Sequence, residues 1–466
     1  MNRTALRLGL LAGTALMGVT VPAFADGPEF EPDRVFVRLQ PGASIAAINQ
    51  TYGTTVNPGQ SIPSRGMYLL DLPAGASEST FVSQLQSDSR IASADFNFYV
   101  IDEDPNGTTR RMYLSVPRWW YDQDAVPGII AAPDAWVQSR GAGIVVAVID
   151  TGVDATHPLL ARSVVPRGFN FLTNTTNTLD VAQNVDTNGN GEIDQLFGHG
   201  TLVAGLVLRV APDARIMPIV AMDSDGYATI FRLAQGLYHA LDNGAHIANV
   251  SMGMEADPPL LRDVIADVEL QGLIVVASAG NRANSNPDYP AGTSSLGTLA
   301  VAATTDNDVR AEFSNYGPWV SLSAPGVDVV STVPGGGYGV ASGTSLSAPL
   351  VAGAAASVRA ICPLIPASQV DAIIRSRSVS INAQNPSYVN QLGSGRLNVA
   401  MAVGAVGAPL ACDCDLNNDG LVTKEDLYRM VANPVDANGD GVANAIDTRD
   451  LVRWMRRTER TTLQAR

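Results

Sequence analysis

The sequence holds a single lysine, Lys424; every other basic side chain is arginine. Lysine-based chemistry therefore has one candidate, and it lies in a polar C-terminal stretch. Three cysteines in 466 residues are too few for a disulfide scaffold. Charged residues are only 16%, and the balance is acidic, at a formal −15. Without a basic face to neutralise phosphates, no nucleic-acid partner is expected. Long apolar runs are also scarce. The run at 8–21 falls short of the ~20 residues that a bilayer span needs, and no later segment qualifies, so no membrane-spanning part is expected. What is abundant is burial capacity: 46% hydrophobic residues exclude a mostly disordered chain. At ~150 residues per domain the length predicts about three domains.

Arg3 and Arg7 precede the first apolar run, and Ala23-Phe24-Ala25 follows it. That order predicts a signal peptide at 1–25, cleaved after Ala25. The mature chain is then secreted or periplasmic, where calcium is available and disulfides are permitted. Residues 26–111 read as a small α+β unit, with strands at 34–39, 67–72 and 91–96, a helix at 77–86 and an exposed linker at 102–111. Over 112–405 continuous apolar runs (144–149, 216–220, 247–250, 273–277, 299–302) alternate with helical stretches (229–243, 258–270, 346–361). Runs buried on both faces and separated by helices predict an α/β fold, a doubly wound and mostly parallel sheet. Chemistry then belongs beyond the carboxyl ends of the strands. Residues 411–457 form a small helical pair of Asp/Asn/Gly loops, and 458–466 are a polar tail.

The unusual residues sit where that fold would place them. The run at 144–149 ends in Asp150-Thr151-Gly152-Val153-Asp154, and a carboxylate at a buried strand end is costly unless compensated. Gly198-His199-Gly200-Thr201 opens an apolar helix at 202–210. Gly343-Thr344-Ser345-Leu346-Ser347-Ala348-Pro349 opens another. Pro349 suits the first turn of a helix, which sets Ser345 at an N-terminus that favours negative charge. Ser278-Ala279-Gly280-Asn281 follows the run at 273–277. Acyl transfer by serine needs these parts. Ser345 attacks a carbonyl, His199 carries the proton, Asp150 orients the imidazole, and Asn281 with the Ser345 N–H receives the oxyanion. No cofactor is required for this chemistry. A serine esterase of the α/β-hydrolase kind is excluded, because Ser345 lacks the Gly-x-Ser-x-Gly elbow and the chain order is wrong. His157, His239 and His246 read as structural.

Asp150-Thr-Gly-Val-Asp154, the Gly198–Gly205 block, Ser278-Ala-Gly-Asn281 and the Gly343–Pro349 block together resemble the signature blocks of the subtilisin-like serine proteases (subtilases, peptidase S8) across 112–405. The resemblance implies a serine endopeptidase acting on polypeptides. It implies that Ser251-Met252-Gly253 forms an edge strand for the substrate backbone. It also sets Asp288, before Tyr289-Pro290-Ala291, at the bottom of the pocket for the side chain preceding the scissile bond. A carboxylate there favours a cationic side chain, unless Arg282 pairs with it or repels the substrate. Arg110-Arg111 in the linker offers a matching site for self-cleavage. Leu202 and Leu350 stand where relatives often have histidine, which puts local packing in question. The unit at 26–111 resembles subtilase propeptides, which assist folding and then block the cleft, so the chain's own propeptide is an expected partner of a zymogen. The competing reading is a catalytically silent, calcium-dependent binding or docking protein on the same scaffold.

Asp415, Asn417, Asp419, Thr423 and Asp426 place oxygens at loop positions 1, 3, 5, 9 and 12, with Gly420 at 6. Asp436, Asn438, Asp440, Asn444 and Asp447 repeat the pattern 21 residues later. The spacing predicts two structural Ca2+ sites. Asp at position 12 makes the pair resemble dockerin repeats, which implies a cohesin-like partner. The loop from Asp186 to Asp194 carries a third, incomplete version. Cys412 and Cys414 are too close to pair comfortably, so Cys362 is expected to pair with one of them.

Overall fold

The computed structural model describes residues 29–406, apart from 58, 102–113, 188 and 364. The expected signal peptide, linker, calcium repeats and tail therefore lie outside the described residues.

The N-terminal unit runs β1 (Phe30–Leu39), α1 (Ile45–Tyr52), β2 (Ser61–Ile62), β3 (Met67–Asp71), α2 (Glu78–Gln86) and β4 (Ile91–Ile101). Ser44 and Ser77 cap the two helices, accepting from the N–H groups of Ala47 and Thr80. Strand alternation divides β1 between two cores. Val35, Val37 and Leu39 pack with Ile48, Val82 and Leu85 of the unit's own helices. Phe36 points the other way and meets Phe231 edge-on at 5.1 Å. Helix α1 was not anticipated, and β4 continues to Ile101, beyond the expected end at 96.

The rest of the chain follows as β5 (Leu114–Val116), α3 (Arg118–Gln123), α4 (Val126–Ile129), α5 (Ala132–Ala135), β6 (Val145–Asp150), β7 (Phe169–Asn170), α6 (His199–Val210), β8 (Arg215–Val220), β9 (Tyr227–Thr229), α7 (Ile230–Asp242), β10 (Ile247–Val250), α8 (Pro259–Leu270), β11 (Ile274–Ser278), β12 (Leu299–Thr304), β13 (Leu322–Pro325), β14 (Val329–Val333), β15 (Gly337–Ala341), α9 (Thr344–Ile361), α10 (Ala367–Ser376) and α11 (Val399–Val406). Seven strands form one parallel sheet in the order β13-β12-β11-β10-β6-β8-β7. The central strand β6 shows why both faces are covered. Val146 and Val148 enter the core shared with α6 and α9. Val145, Ala147 and Ile149 enter the core shared with α7 and α8. The doubly wound sheet expected from the apolar runs is therefore present, and β13, β14 and β15 add to it and to a small antiparallel sheet with β5.

Two expectations need correction. Pro349 is not in a first turn: α9 begins at Thr344, so the proline stands sixth in the helix. It withholds the N–H that the carbonyl of Ser345 would otherwise accept from. Also, α9 is long and apolar enough to cross a bilayer by composition, against the expectation that no later segment would be; it is a buried core helix.

The two units join through β4. This strand pairs antiparallel with β9, so one five-stranded sheet (β2-β3-β1-β4-β9) crosses the boundary. Two alternate residues of β4 satisfy helix N-termini across it. Asp95 Oδ2 accepts from the Leu260 N–H at the start of α8 (3.0 Å), and Asn97 Oδ1 from the Phe231 N–H at the start of α7 (3.1 Å).

Helix α8 also carries a half-buried carboxyl, Glu269, which accepts from Thr298 Oγ1 at 3.1 Å. Burial pushes its pKa from 4.5 up to about 8. Between those values the folded chain keeps a proton that the unfolded chain has lost, so stability falls as pH rises through that window. Glu269→Gln is expected to flatten this decline in melting temperature between about pH 5 and pH 9. An unchanged slope would assign the decline to other groups.

Candidate active site

Asp150 ends β6, fully buried, with the Thr151 N–H donating to its Oδ1 at 2.8 Å. His199 is the first residue of α6. The helix start approaches the strand end so closely that a Cβ on Gly200 would lie 2.1 Å from the Gly152 carbonyl oxygen, so only glycine fits. The approach brings His199 Nδ1 to 2.8 and 3.0 Å from the two Asp150 carboxylate oxygens. A carboxylate can only accept, so Nδ1 carries the proton and Nε2 is left as the basic nitrogen.

The start of α6 is held by a residue that the sequence analysis missed. Asp180 accepts from the Gly198 N–H (3.1 Å), the Thr201 N–H (3.2 Å) and Thr201 Oγ1 (2.8 Å). Burial, with Asp150 nearby, pushes its carboxyl up to about 6. One signal could have revealed it: Gly198 stands at the N-cap and has no side chain to offer, so a distant acceptor was required.

Ser345 is the second residue of α9. Its carbonyl, deprived of a helical donor by Pro349, accepts from Ser251 Oγ at 2.9 Å. Asn249 Nδ2 donates in turn to Ser251 Oγ at 2.8 Å. The end of β10 therefore fixes the Ser345 main chain through a side chain, whereas Ser251 was expected to act only through its backbone.

Asn281 lies just past the end of β11. Its Oδ1 accepts from both the N–H and the hydroxyl of Thr344, each at 2.9 Å. A backbone N–H can be met only by oxygen, so the amide is locked with Nδ2 turned away from Thr344. A Cβ built on Gly343 would lie 2.9 Å from Ser345 Oγ and 3.8 Å from Asn281 Nδ2. The hydroxyl and the amide thus flank one small volume that any side chain at 343 would fill.

A polypeptide strand already lies beside this site. The Ile101 N–H donates to the Gly253 carbonyl and the Gly253 N–H to the Ile101 carbonyl, both at 2.9 Å. On its other side the same strand pairs with β9. The segment 251–253 thus holds an extended chain by backbone addition, with Met252 buried beneath it.

Asp288 is buried and its Oδ2 accepts from Arg282 Nη1 at 2.5 Å. Of the arrangements left open by the sequence, this is the one in which Arg282 pairs with the carboxylate and offsets its pull on a cationic substrate. The other histidines are structural. His157 Nε2 donates to the Gly337 carbonyl, His239 Nε2 to that of Arg167, and His246 Nδ1 accepts from the Val145 N–H. Leu202 and Leu350 lie in the α6–α9 core. In the loop from Asp186 to Asp194, Asp186 accepts from the N–H groups of Asn190 and Gly191, and Asp194 from those of Gln183, Asn184 and Val185. Among the described residues no group of three His, Cys, Asp or Glu is placed to hold a metal ion. The ten calcium candidates from Asp415 to Asp447 lie outside the described residues. Cys362 is disulfide-bonded, and the other two cysteines also lie outside them.

The sequence pattern of the Subtilase family (peptidase S8) matches residues 141–399, and that of the fervidolysin N-terminal prodomain matches 20–97. The chain belongs to the subtilase family, the subtilisin-like serine proteases. Subtilisin BL of Lederbergia lenta is 36% identical over 271 residues, covering 56% of this chain and 91% of that protein. Thermitase of Thermoactinomyces vulgaris is 37% identical over 239 residues, covering 49% and 79%. A thermophilic serine proteinase of Bacillus sp. (strain AK1) is 39% identical over 233 residues, but the match spans 48% of this chain and only 54% of that protein. The crystal structure of fervidolysin from Fervidobacterium pennivorans, described as a keratinolytic enzyme related to subtilisin, superposes with a TM-score of 0.65. At 24% identity over 81% of this chain and 61% of that one, it supports the fold.

Proposed function

We propose that this chain is a serine endopeptidase made as a zymogen, exported after cleavage behind Ala25, with calcium bound in its C-terminal repeats. Ser345 Oγ attacks the scissile carbonyl carbon while His199 Nε2 takes its proton, and Asp150 stabilises the imidazolium through Nδ1. Asn281 Nδ2 and the Ser345 N–H receive the oxyanion. Collapse breaks the C–N bond, and the leaving amine takes the proton from His199; water then repeats the sequence on the acyl-enzyme. The substrate backbone lies along Ser251-Met252-Gly253, where Ile101 now sits. The observations that support this reading are the His199–Asp150 pair, the small volume flanked by Ser345 Oγ and the locked Asn281 amide, and the strand-binding edge at Gly253.

The test is a fluorophosphonate probe on the processed protein. Covalent labelling at Ser345, lost on heat unfolding, is expected. A folded, processed protein that takes no label would favour the silent docking scaffold instead.

The C-terminal repeats are proposed to hold two calcium ions through Asp415, Asn417, Asp419, Thr423 and Asp426 and through Asp436, Asn438, Asp440, Asn444 and Asp447, and to offer a dockerin-like surface to a cohesin-like partner. Calorimetric titration of the full chain should give two sites from the repeats. Asp415→Ala and Asp436→Ala should each remove one, because position 1 supplies a carboxylate that the ion cannot replace from solvent at equal affinity. A stoichiometry unchanged by both substitutions would sink this assignment.

A further inference from the structure

The edge strand fixes the register of a bound peptide. Ile101 and Gly253 exchange both backbone hydrogen bonds in an antiparallel pair. In such a pair one index falls as the other rises. A peptide seated as β4 is seated therefore sets the residue two places beyond the Ile101 position opposite Ser251. Ser251 is the residue whose hydroxyl bonds the Ser345 carbonyl. On the endopeptidase reading, the peptide bond that follows this residue would be the one presented to Ser345, and its side chain would enter the space between the segments 251–254 and 279–282.

That space is shaped by two glycines and closed by one ion pair. A Cβ on Gly253 would lie 3.2 Å from Asp288 Cβ, and a Cβ on Gly280 would lie 2.0 Å from Asp288 Oδ2. Neither glycine puts a side chain into the space, and the carboxylate of Asp288 lies close to both. Arg282, directly after Asn281, covers that carboxylate with Nη1 at 2.5 Å, and its Nε lies 3.7 Å from Glu255 at the exposed rim. The side chains are 12% exposed for Arg282 and 4% for Asp288. An entering group therefore meets the guanidinium before the carboxylate. Asp288 is spent in neutralising and aiming Arg282 from below. A substrate carboxylate, beyond those of Asp288 and Glu255, approaches a planar fork with several donors, held in a partly desolvated site. A cationic side chain meets a like charge instead.

We propose that Arg282 is the specificity-determining residue of this pocket, and that the pocket takes an acidic side chain, glutamate above all, before the scissile bond. Asp288 acts as its positioning residue and does not contact the substrate charge. This rests on the endopeptidase reading given above. The chain carries a matching peptide of its own. Two residues beyond Ile101 the sequence reads Glu103, followed by Asp104. Self-processing then cuts between Glu103 and Asp104 rather than after Arg110 or Arg111.

Quenched fluorescent peptides that differ only at the residue before the scissile bond test this on the processed enzyme. The glutamate peptide should exceed its alanine counterpart in kcat/KM by at least about tenfold, the scale of a hydrogen bond to a charged group, and the arginine peptide by more. Arg282→Gln should collapse the glutamate-to-alanine ratio, and Arg282→Glu should invert the glutamate-to-arginine ratio. The mature N-terminus should be Asp104, and Glu103→Arg should slow its appearance while Arg110→Ala does not. Cleavage of leucine or arginine peptides as fast as glutamate ones, or a ratio untouched by Arg282→Gln, overturns the pocket assignment alone when Ser345 still takes a fluorophosphonate label. Failure to label overturns the protease reading, and this assignment with it.

Discussion

Ser345→Ala and His199→Ala are each expected to lower kcat for peptide hydrolysis by about a millionfold, and the double variant by no more than either alone. The non-additivity is the informative part. Without the hydroxyl, His199 has no proton to accept; without the imidazole, the hydroxyl has no base and stays a poor nucleophile. The Ser345→Ala variant should keep the fold, because α9 is tied to β10 through the carbonyl of Ser345 rather than its hydroxyl. Both variants should also accumulate as the uncut chain, giving a second readout by mass. Asp150→Asn should be milder, at about ten-thousandfold, since the imidazole remains but its tautomer is no longer enforced. A His199→Ala protein that hydrolyses peptides at the parent rate would remove the general base from the mechanism.

Asn281→Ala is expected to lower kcat by about a hundred- to a thousandfold, or ~2.7–4 kcal/mol of transition-state stabilisation, with little change in KM. Asn281 has two jobs, however. Its Oδ1 also satisfies the Thr344 N–H and hydroxyl at the start of α9, so alanine loosens the helix that carries Ser345. Asn281→Asp separates the two effects. It keeps the acceptor for Thr344, removes the donor and sets a negative charge beside the oxyanion. Its kcat should fall at least as far as that of the alanine variant, with a smaller loss in melting temperature. An aspartate variant with the parent rate would show that the oxyanion is held elsewhere.

The central sheet was legible because its strands are buried on both faces and read as unbroken apolar runs. β6, β8, β11 and β12 announce themselves in this way, and β10 does so apart from Asn249. β13 (Leu-Ser-Ala-Pro) and β15 (Gly-Tyr-Gly-Val-Ala) do not, since short strands with Ser, Pro and Gly resemble loops until a neighbour pairs with them. Asp150, His199, Asn281 and Ser345 stood out because the proposed chemistry needs rare side chains at strand ends and helix starts. Asp180 was not. Its partners lie 18 and 21 residues away, and nothing local distinguishes it from a loop aspartate. The pairing of Arg282 with Asp288 was foreseen only as one of two outcomes, because sequence spacing does not say which way an arginine turns. Pro349 was misread for a related reason. A proline inside a helix is normally excluded by the carbonyl it strands, and the stranded carbonyl here finds Ser251, 94 residues away in sequence.

The exchange of hydrogen bonds between Ile101 and Gly253 has a bearing on time as well as on affinity. A strand held through main-chain groups is chemically the same kind of object as the enzyme's food. Once the link behind it is cut, the N-terminal unit is a bound product, retained by β4–β9 pairing and by Asp95 and Asn97 on the helix starts. On the proposed maturation it should dissociate slowly, and once in solution it should be open to digestion by any molecule that has already shed its own. Each liberated catalyst therefore removes the brakes of others. A population should ignite after a delay rather than awaken molecule by molecule, with a sigmoidal onset whose lag lengthens on dilution and vanishes when a trace of mature enzyme is added as seed.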